Sequence, residues 1–309
     1  MTKRIYYKRP VFRPPSEGRS LLIQATEGCT FHCAFCVSNL GKAFKVRKVS
    51  EIKQDIDTAR EIHGRHVKRI FFLDGNAMVM PYEKLLEITE YAHKVFPKLE
   101  RVSVYAHAND ILGKSLDELK TLSKKGLKMA YIGIETGNND LLKKIGKRTT
   151  RQKIVDAFHK CFRSGITPSG TIILGLSGKD QTKSKEHALD TAKLVNAASP
   201  THVFPDRKEL PTWYISALTL MIPPGTAVHQ DMKQGVLEPM NPDEILQELL
   251  VIIENISEDV RNCTFRSNHA SNYLAIKGVL VRDKKQITDL IKRNLHDHRD
   301  IRPEFLRGL

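Results

Sequence analysis

The sequence predicts an α/β fold, a partial (β/α)6 TIM-like barrel followed by a mostly helical C-terminal extension. Three observations predict it. Short apolar, β-branched or aromatic runs alternate with longer amphipathic segments, the pattern of βα units laid around a parallel sheet. Six such runs occur in order, each followed by a helix or a loop. The 309 residues, 40% of them hydrophobic, are enough for one large barrel domain and a modest addition.

The first strand is expected at 20–26, directly before a loop that carries cysteines. Ser50 is the expected N-cap of a helix over 51–63, and the run RIFFL at 69–73 is a strand that ends at Asp74 and Gly75. Pro81 opens a helix through 95, followed by a strand at 101–106 and a helix at 115–125 with Gly126 at its end. A strand at 129–134 leads into Glu135-Thr136-Gly137, and helices follow at 140–145 and 151–164. The fifth strand, 170–174, ends at Gly175; a helix over 182–196 and a strand over 214–221 complete the alternation before Pro223-Pro224-Gly225.

This order divides the chain into a basic N-terminal arm (1–19), a core barrel (20–225) and a C-terminal extension that caps the barrel (226–309). The proline-bearing segment 198–212 reads as a loop over the barrel mouth or a poorly ordered insertion. The extension holds a helix at 243–258 and a terminal helix from Lys285. Neither an internal repeat nor a low-complexity tract is visible.

Composition narrows the function classes. No apolar run approaches the roughly 20 residues of a membrane span, and the first 20 residues are basic and proline-containing where a signal peptide would be apolar. A soluble cytoplasmic protein is expected. Three of the five cysteines fall between positions 29 and 36, with Cys161 and Cys263 far away, which is no disulfide framework. A formal charge of +15 favours an anionic partner such as tRNA, a phosphorylated metabolite or a lipid head group. The basic residues form no dense block, so solvated faces of an alkaline protein account for them equally well.

The cysteines read C-x3-C-x2-C: Cys29, Cys33 and Cys36, placed after the first strand, at the strand end where barrel enzymes carry their chemistry. A closed four-iron cluster takes four cysteines, so three thiolates leave one iron with an open position for a cofactor or substrate. Structural zinc takes four ligands in two spaced pairs; no second pair is visible, and His32 sits cramped between two cysteines.

With Phe35 as its aromatic, the motif resembles the signature of the radical S-adenosylmethionine superfamily, and the six-strand alternation is similar to that family's barrel over about 20–225. The resemblance implies that Cys29, Cys33 and Cys36 ligate three irons of a [4Fe–4S] cluster while S-adenosylmethionine chelates the fourth. It implies an oxygen-sensitive enzyme in which one electron cleaves the sulfonium to methionine and a 5′-deoxyadenosyl radical that abstracts hydrogen from a substrate.

Other cofactor positions follow from the same resemblance. The family's Gly-Gly-Glu after strand two, which contacts the methionine amino group, matches Asp74, Gly75 and Asn76, with Asn76 in place of the acid. Gly133-Ile134-Glu135-Thr136-Gly137 looks like the Gly-Ile-Glu-Ser-Gly stretch of the coproporphyrinogen oxidase and methylthiotransferase groups, which implies cofactor or substrate contact by Glu135. The run ending at Gly175 resembles the strand-five segment in which a glycine lets the backbone approach adenine.

Beyond the barrel, Arg266 to Tyr273 packs seven hydrogen-bonding side chains into eight positions. This density reads as a substrate-facing cap, with Arg266, Ser267, Asn268, His269 and Asn272 as substrate-binding candidates; an Asx-rich surface loop is the alternative. Cys263 and Tyr273 are candidate catalytic hydrogen donors or radical relays, against inert packing for a buried thiol. The Arg266-Ser267 pair is similar to the end of lipoyl synthases, and the whole ending resembles that of a group of small anaerobic radical proteins.

The resulting expectation is a radical S-adenosylmethionine enzyme acting on an anionic or polar small molecule, with an electron donor such as flavodoxin or ferredoxin. Modification of tRNA and sulfur insertion of the lipoyl synthase type are alternatives within that class. Outside it stands an iron–sulfur electron-transfer module, which would need four protein ligands and no cofactor pocket.

Overall fold

The computed structural model describes residues 4–38 and 40–307; residues 1–3 of the expected basic arm lie outside them. The described residues form two compact units. The first takes the chain up to His32, Ser38–Ile132 and Lys160–Pro168; the second takes Cys33–Val37, Gly133–His159 and the chain from Ser169 onward.

The first unit begins with strands β1 (Leu21–Gln24), β2 (Thr26–Glu27) and β3 (Lys45–Val46) and helix α1 (Val49–His63). Strand β4 (Arg69–Leu73), helix α2 (Tyr82–Val95), strand β5 (Arg101–Ala106), helices α3 (Ala108–Gly113) and α4 (Leu116–Lys124) and strand β6 (Leu127–Glu135) follow, β6 passing into the second unit at Gly133. β1 pairs with β4, β4 with β5 and β5 with β6, all parallel. Ile70, Phe71, Phe72 and Leu73 of β4 are all fully buried, as expected of an inner strand covered on both faces. α1 buries Ile52, Ile56 and Ala59, a stripe at helical spacing.

Two expectations change here. The single strand 20–26 breaks at Ala25, because β2 leaves the parallel sheet to pair antiparallel with β3. Ser50 is not an N-cap: α1 starts at Val49 with Lys48 in the capping position, so Ser50 lies inside the first turn. Within the arm Glu17 is wholly buried and accepts from Arg101 Nη2 (2.8 Å), Tyr131 hydroxyl (2.7 Å) and Ser20. Ser115, expected as the first helical residue, caps α4 in a reciprocal pair with Glu118.

The second unit holds α5 (Asn139–Lys144), α6 (Arg151–Ser164), β7 (Thr167–Leu174), α7 (Gln181–Ala197) and β8 (Trp213–Thr219), with α6 and β7 each having some residues in the first unit. Then come α8 (Ala227–Lys233), α9 (Pro242–Glu254), β9 (Cys263–Arg266), β10 (Lys277–Val279) and α10 (Lys284–Asp297). β7 pairs parallel with β8 and β8 parallel with β9, while β10 returns antiparallel along β9. The extension is therefore not only helical, since it adds a parallel strand at Cys263–Arg266.

The segment 198–212 is irregular apart from one 3-10 turn, Pro200–His202. It lies at the start of β8, held by Ser199 Oγ to Asp259 O (2.7 Å) and by Asn262 Nδ2 to Leu210 O (2.7 Å). An α-to-β connection sits at the N-terminal ends of strands, so this loop is not over the mouth, where chemistry is placed. Among the described residues no helix is long and apolar enough to cross a membrane.

Candidate active site

In the first unit, the strand ends expected to face chemistry are tied to the loop around Cys29. Asp74, at the end of β4, is buried and takes an ion pair from Lys42 at 2.7 Å, with Gly28 N–H (3.4 Å) and Gln24 Nε2 (3.5 Å) further out. Lys42 also donates to the Pro10 carbonyl. Burial raises the Asp74 carboxyl more than Lys42 and its other donors lower it. Asp74 thus binds the cysteine loop to β4, a role invisible in sequence because Lys42 is 32 residues away. Gly75 follows in the turn.

Asn76 is the informative position. Its amide Nδ2 donates to Asp110 Oδ2 (2.6 Å) and Thr30 Oγ1 (3.2 Å), while its Oδ1 is buried without a partner. Asp110 as a carboxylate only accepts, so the amide must present its nitrogen there and its oxygen away. Burial pushes the Asp110 carboxyl up. Beside this group Phe31 stacks on His107, with ring centroids 3.8 Å apart. Sequence reading missed Asp110 and His107; their position just after a barrel strand was the available signal.

In the second unit, Cys36 N–H closes a turn onto Cys33 O at 2.9 Å, and Ala34 N–H binds Ile145 O at 2.9 Å. Phe35 packs against the buried cluster of Ile145, Ile173 and Leu176. Glu135 ends β6 at φ +60°, a left-handed conformation that non-glycine residues adopt at a cost of roughly 1–3 kcal/mol. Its carboxylate pairs with Lys147 at 2.6 Å, both side chains buried. Gly133 makes the room: a Cβ there would meet Glu135 Oε1 at 2.1 Å and Lys147 Nζ at 2.5 Å. The partner demanded by a buried acid is Lys147, one of several basic residues that resemble surface charge in sequence.

Gly175 has a packing reason within the fold. Its φ is +82°, a Cβ would meet Ile245 Cδ1 at 2.8 Å, and its N–H donates to Glu248 Oε1 at 2.7 Å. The glycine is explained by α9 pressing on it. Glu248, on α9, also takes Ser184 Oγ and lies 3.4 Å from His187 Nε2, and His187 Nδ1 is 2.7 Å from Thr136 Oγ1. Burial alone would raise Glu248, but His187, Ser184 and the Gly175 N–H together hold it below the usual carboxylate range.

The ending Arg266 to Tyr273 has most of its polar side chains engaged by protein partners. Ser267 Oγ donates to Leu274 O (2.8 Å) and accepts from Ile276 N (3.2 Å). Asn272, buried, donates to Ala217 O (2.8 Å) and Ser267 O (2.9 Å) and accepts from Thr219 Oγ1 (3.1 Å). His269 Nδ1 meets Ser271 Oγ at 2.9 Å, and Tyr273 is held by Glu304 (3.0 Å) and Arg307 (2.5 Å). Asn268 is exposed. Cys263 is fully buried with its thiol pushed well up, an environment of inert packing. Arg266 alone has a buried nitrogen, Nε, without a partner.

Parallel strands alternating with helices, with a three-cysteine loop after the first, define an α/β fold of the TIM-like kind. The sequence profile described as the Radical SAM superfamily matches residues 23–192, more than half of the chain. The chain belongs to that superfamily, whose enzymes use a [4Fe–4S] cluster and S-adenosylmethionine.

Bacteriochlorophyllide d C-12(1)-methyltransferase of Chlorobaculum tepidum is 25% identical over 223 residues, 69% of this chain and 43% of that protein. GTP 3′,8-cyclase of Clostridium perfringens is 24% identical over 163 residues, 52% of this chain and 48% of that protein. The solved coproporphyrinogen III oxidase of Escherichia coli superposes with a TM-score of 0.57 at 18% identity, covering 76% of this chain and 52% of that one, and shares the fold. The chain spans less than half the length of the curated relatives it matches.

Proposed function

We propose that this protein cleaves S-adenosylmethionine reductively at a [4Fe–4S] cluster held by Cys29, Cys33 and Cys36 and uses the product to take hydrogen from an anionic or polar small molecule. The observation that carries this reading is the C-x3-C-x2-C loop within the matched family region. Soft thiolates suit an iron–sulfur cluster, and a set of three leaves one iron open. Asn76 Oδ1, a buried acceptor without a partner, suits the amino group of the cofactor's methionine end.

When bound and reduced, the cluster supplies the electron that breaks the sulfonium bond. The chain's own residues orient and exclude. Asp110 and Thr30 hold the Asn76 amide in one orientation. Lys42 and Asp74 fix the cysteine loop to β4. The buried Glu135–Lys147 pair at the end of β6 offers a carboxylate oriented for the cofactor or substrate.

The reductant is a small electron carrier such as flavodoxin or ferredoxin. Anaerobic reconstitution and reduction in the presence of S-adenosylmethionine should yield 5′-deoxyadenosine; an intact cluster that never yields it overturns the reading. The formal charge of +15 supports a second reading, in which the substrate is an RNA.

A further inference from the structure

In the second unit, β7, β8 and β9 run parallel in register, so residues in one row point to the same face. One face is apolar: a Cβ at Gly170 would meet Ile215 and Phe158 of α6, and Trp213 meets the Phe158 ring edge-on. The other face is polar. Ser169, Tyr214 and Thr264 form one row, and Thr171, Ser216 and Arg266 form the next. One step further along is Ile173, a member of the buried cluster against which Phe35 of the cysteine loop packs.

These polar groups differ from those of the ending that follows. The side chains of Ser267, His269, Asn272 and Tyr273 are engaged with protein partners. By contrast, no protein hydrogen bond engages the hydroxyls of Ser169, Thr171, Tyr214, Ser216 or Thr264 among the described residues. Arg266 Nε is buried without an acceptor, and among the described residues no carboxylate pairs with this guanidinium. Lys277, directly opposite Arg266 across the β9–β10 pair, adds a second cation on that side. A buried N–H without an acceptor is rare in native proteins, and a row of open hydroxyls beside it is a ready set of donors and acceptors.

We propose that this face selects the substrate, a small molecule bearing a carboxylate or phosphate that Arg266 grips, with its remaining polar groups against the hydroxyls of Thr171, Ser216, Tyr214 and Thr264. The proposal rests on the radical S-adenosylmethionine reading for its chemistry, and it names the substrate class of that same enzyme. Arg presents a planar fork matched to either oxyanion, so the two sources share one chemistry.

The test is equilibrium binding, by calorimetry, of inorganic phosphate and of succinate to the anaerobically reconstituted holoenzyme with S-adenosylmethionine present. Saturable binding of at least one probe is expected, and the probe that binds identifies phosphate or carboxylate. Arg266→Gln should weaken it roughly ten- to hundredfold, the weight of a charge-assisted hydrogen-bond pair. The paired variant Thr171→Val with Ser216→Ala should weaken it severalfold and serves if Arg266→Gln does not fold. Lys285→Gln, on exposed α10, should leave it unchanged. The proposal is overturned by absence of saturable binding for both probes, or by wild-type binding in both Arg266→Gln and the paired variant. Binding needs no turnover, so a protein that holds the anion but yields no 5′-deoxyadenosine overturns the proposed reaction and leaves this inference standing.

Discussion

Gly175 and Glu248 show what single residues do here. Sequence similarity linked Gly175 to a close approach by adenine; in the structure its left-handed φ and the contact with Ile245 already exclude a side chain. Gly175→Ala should therefore destabilise the protein by about 1–3 kcal/mol in denaturant unfolding, through backbone strain and overpacking. Glu248 has a lowered folded-state pKa, so its contribution is present above the usual carboxylate range and lost as pH falls through the lowered value. Glu248→Gln should lose about 1–3 kcal/mol near neutrality, and the difference from wild type should shrink on acidification below that range. A constant difference across the acid limb would contradict this assignment.

At the scale of elements, β9 and its following turn are the clearest revision. Dense polar side chains in sequence suggested a substrate-facing cap, yet most of them close the turn from β9 to β10. Asn272→Ala leaves buried carbonyls without donors and should cost about 1–3 kcal/mol, while Asn268→Ala at an exposed position should stay within about 0.5 kcal/mol. Thermal or denaturant unfolding of the two variants checks the contrast. The βα alternation itself was legible, because apolar period and capping signals are local: Ser115 with Glu118 marks the start of α4 directly. β3 and α3 were not legible, being short and stabilised by tertiary packing more than by propensity.

For the whole molecule, the family assignment makes the three cysteines separable from the other two. Cys33→Ala should lose reconstituted iron and 5′-deoxyadenosine formation together, while Cys161→Ala, whose buried thiol is pushed up to about 12, should retain both. Iron content and product assay of each variant decide this. The charge of +15 gives a second whole-molecule expectation: with a small-molecule substrate, any tRNA association should be weak and fall steeply with salt. Retention of tight, sequence-selective tRNA binding at physiological salt would favour the RNA reading instead.

The sequence by itself determined the succession of the six expected βα runs, the cysteine spacing and hence the family, since each is a pattern of near neighbours along the chain. Only the tertiary structure decided which polar residues are available. Asp74 and Lys42, Asn76 and Asp110, and Gly175 and Glu248 are far apart in sequence and become partners only when strands and helices pack. The same packing leaves Arg266 Nε without an acceptor among the described residues. Whether a buried polar group already has its hydrogen bonds depends on what surrounds it in space, and that is not written in any local run of residues.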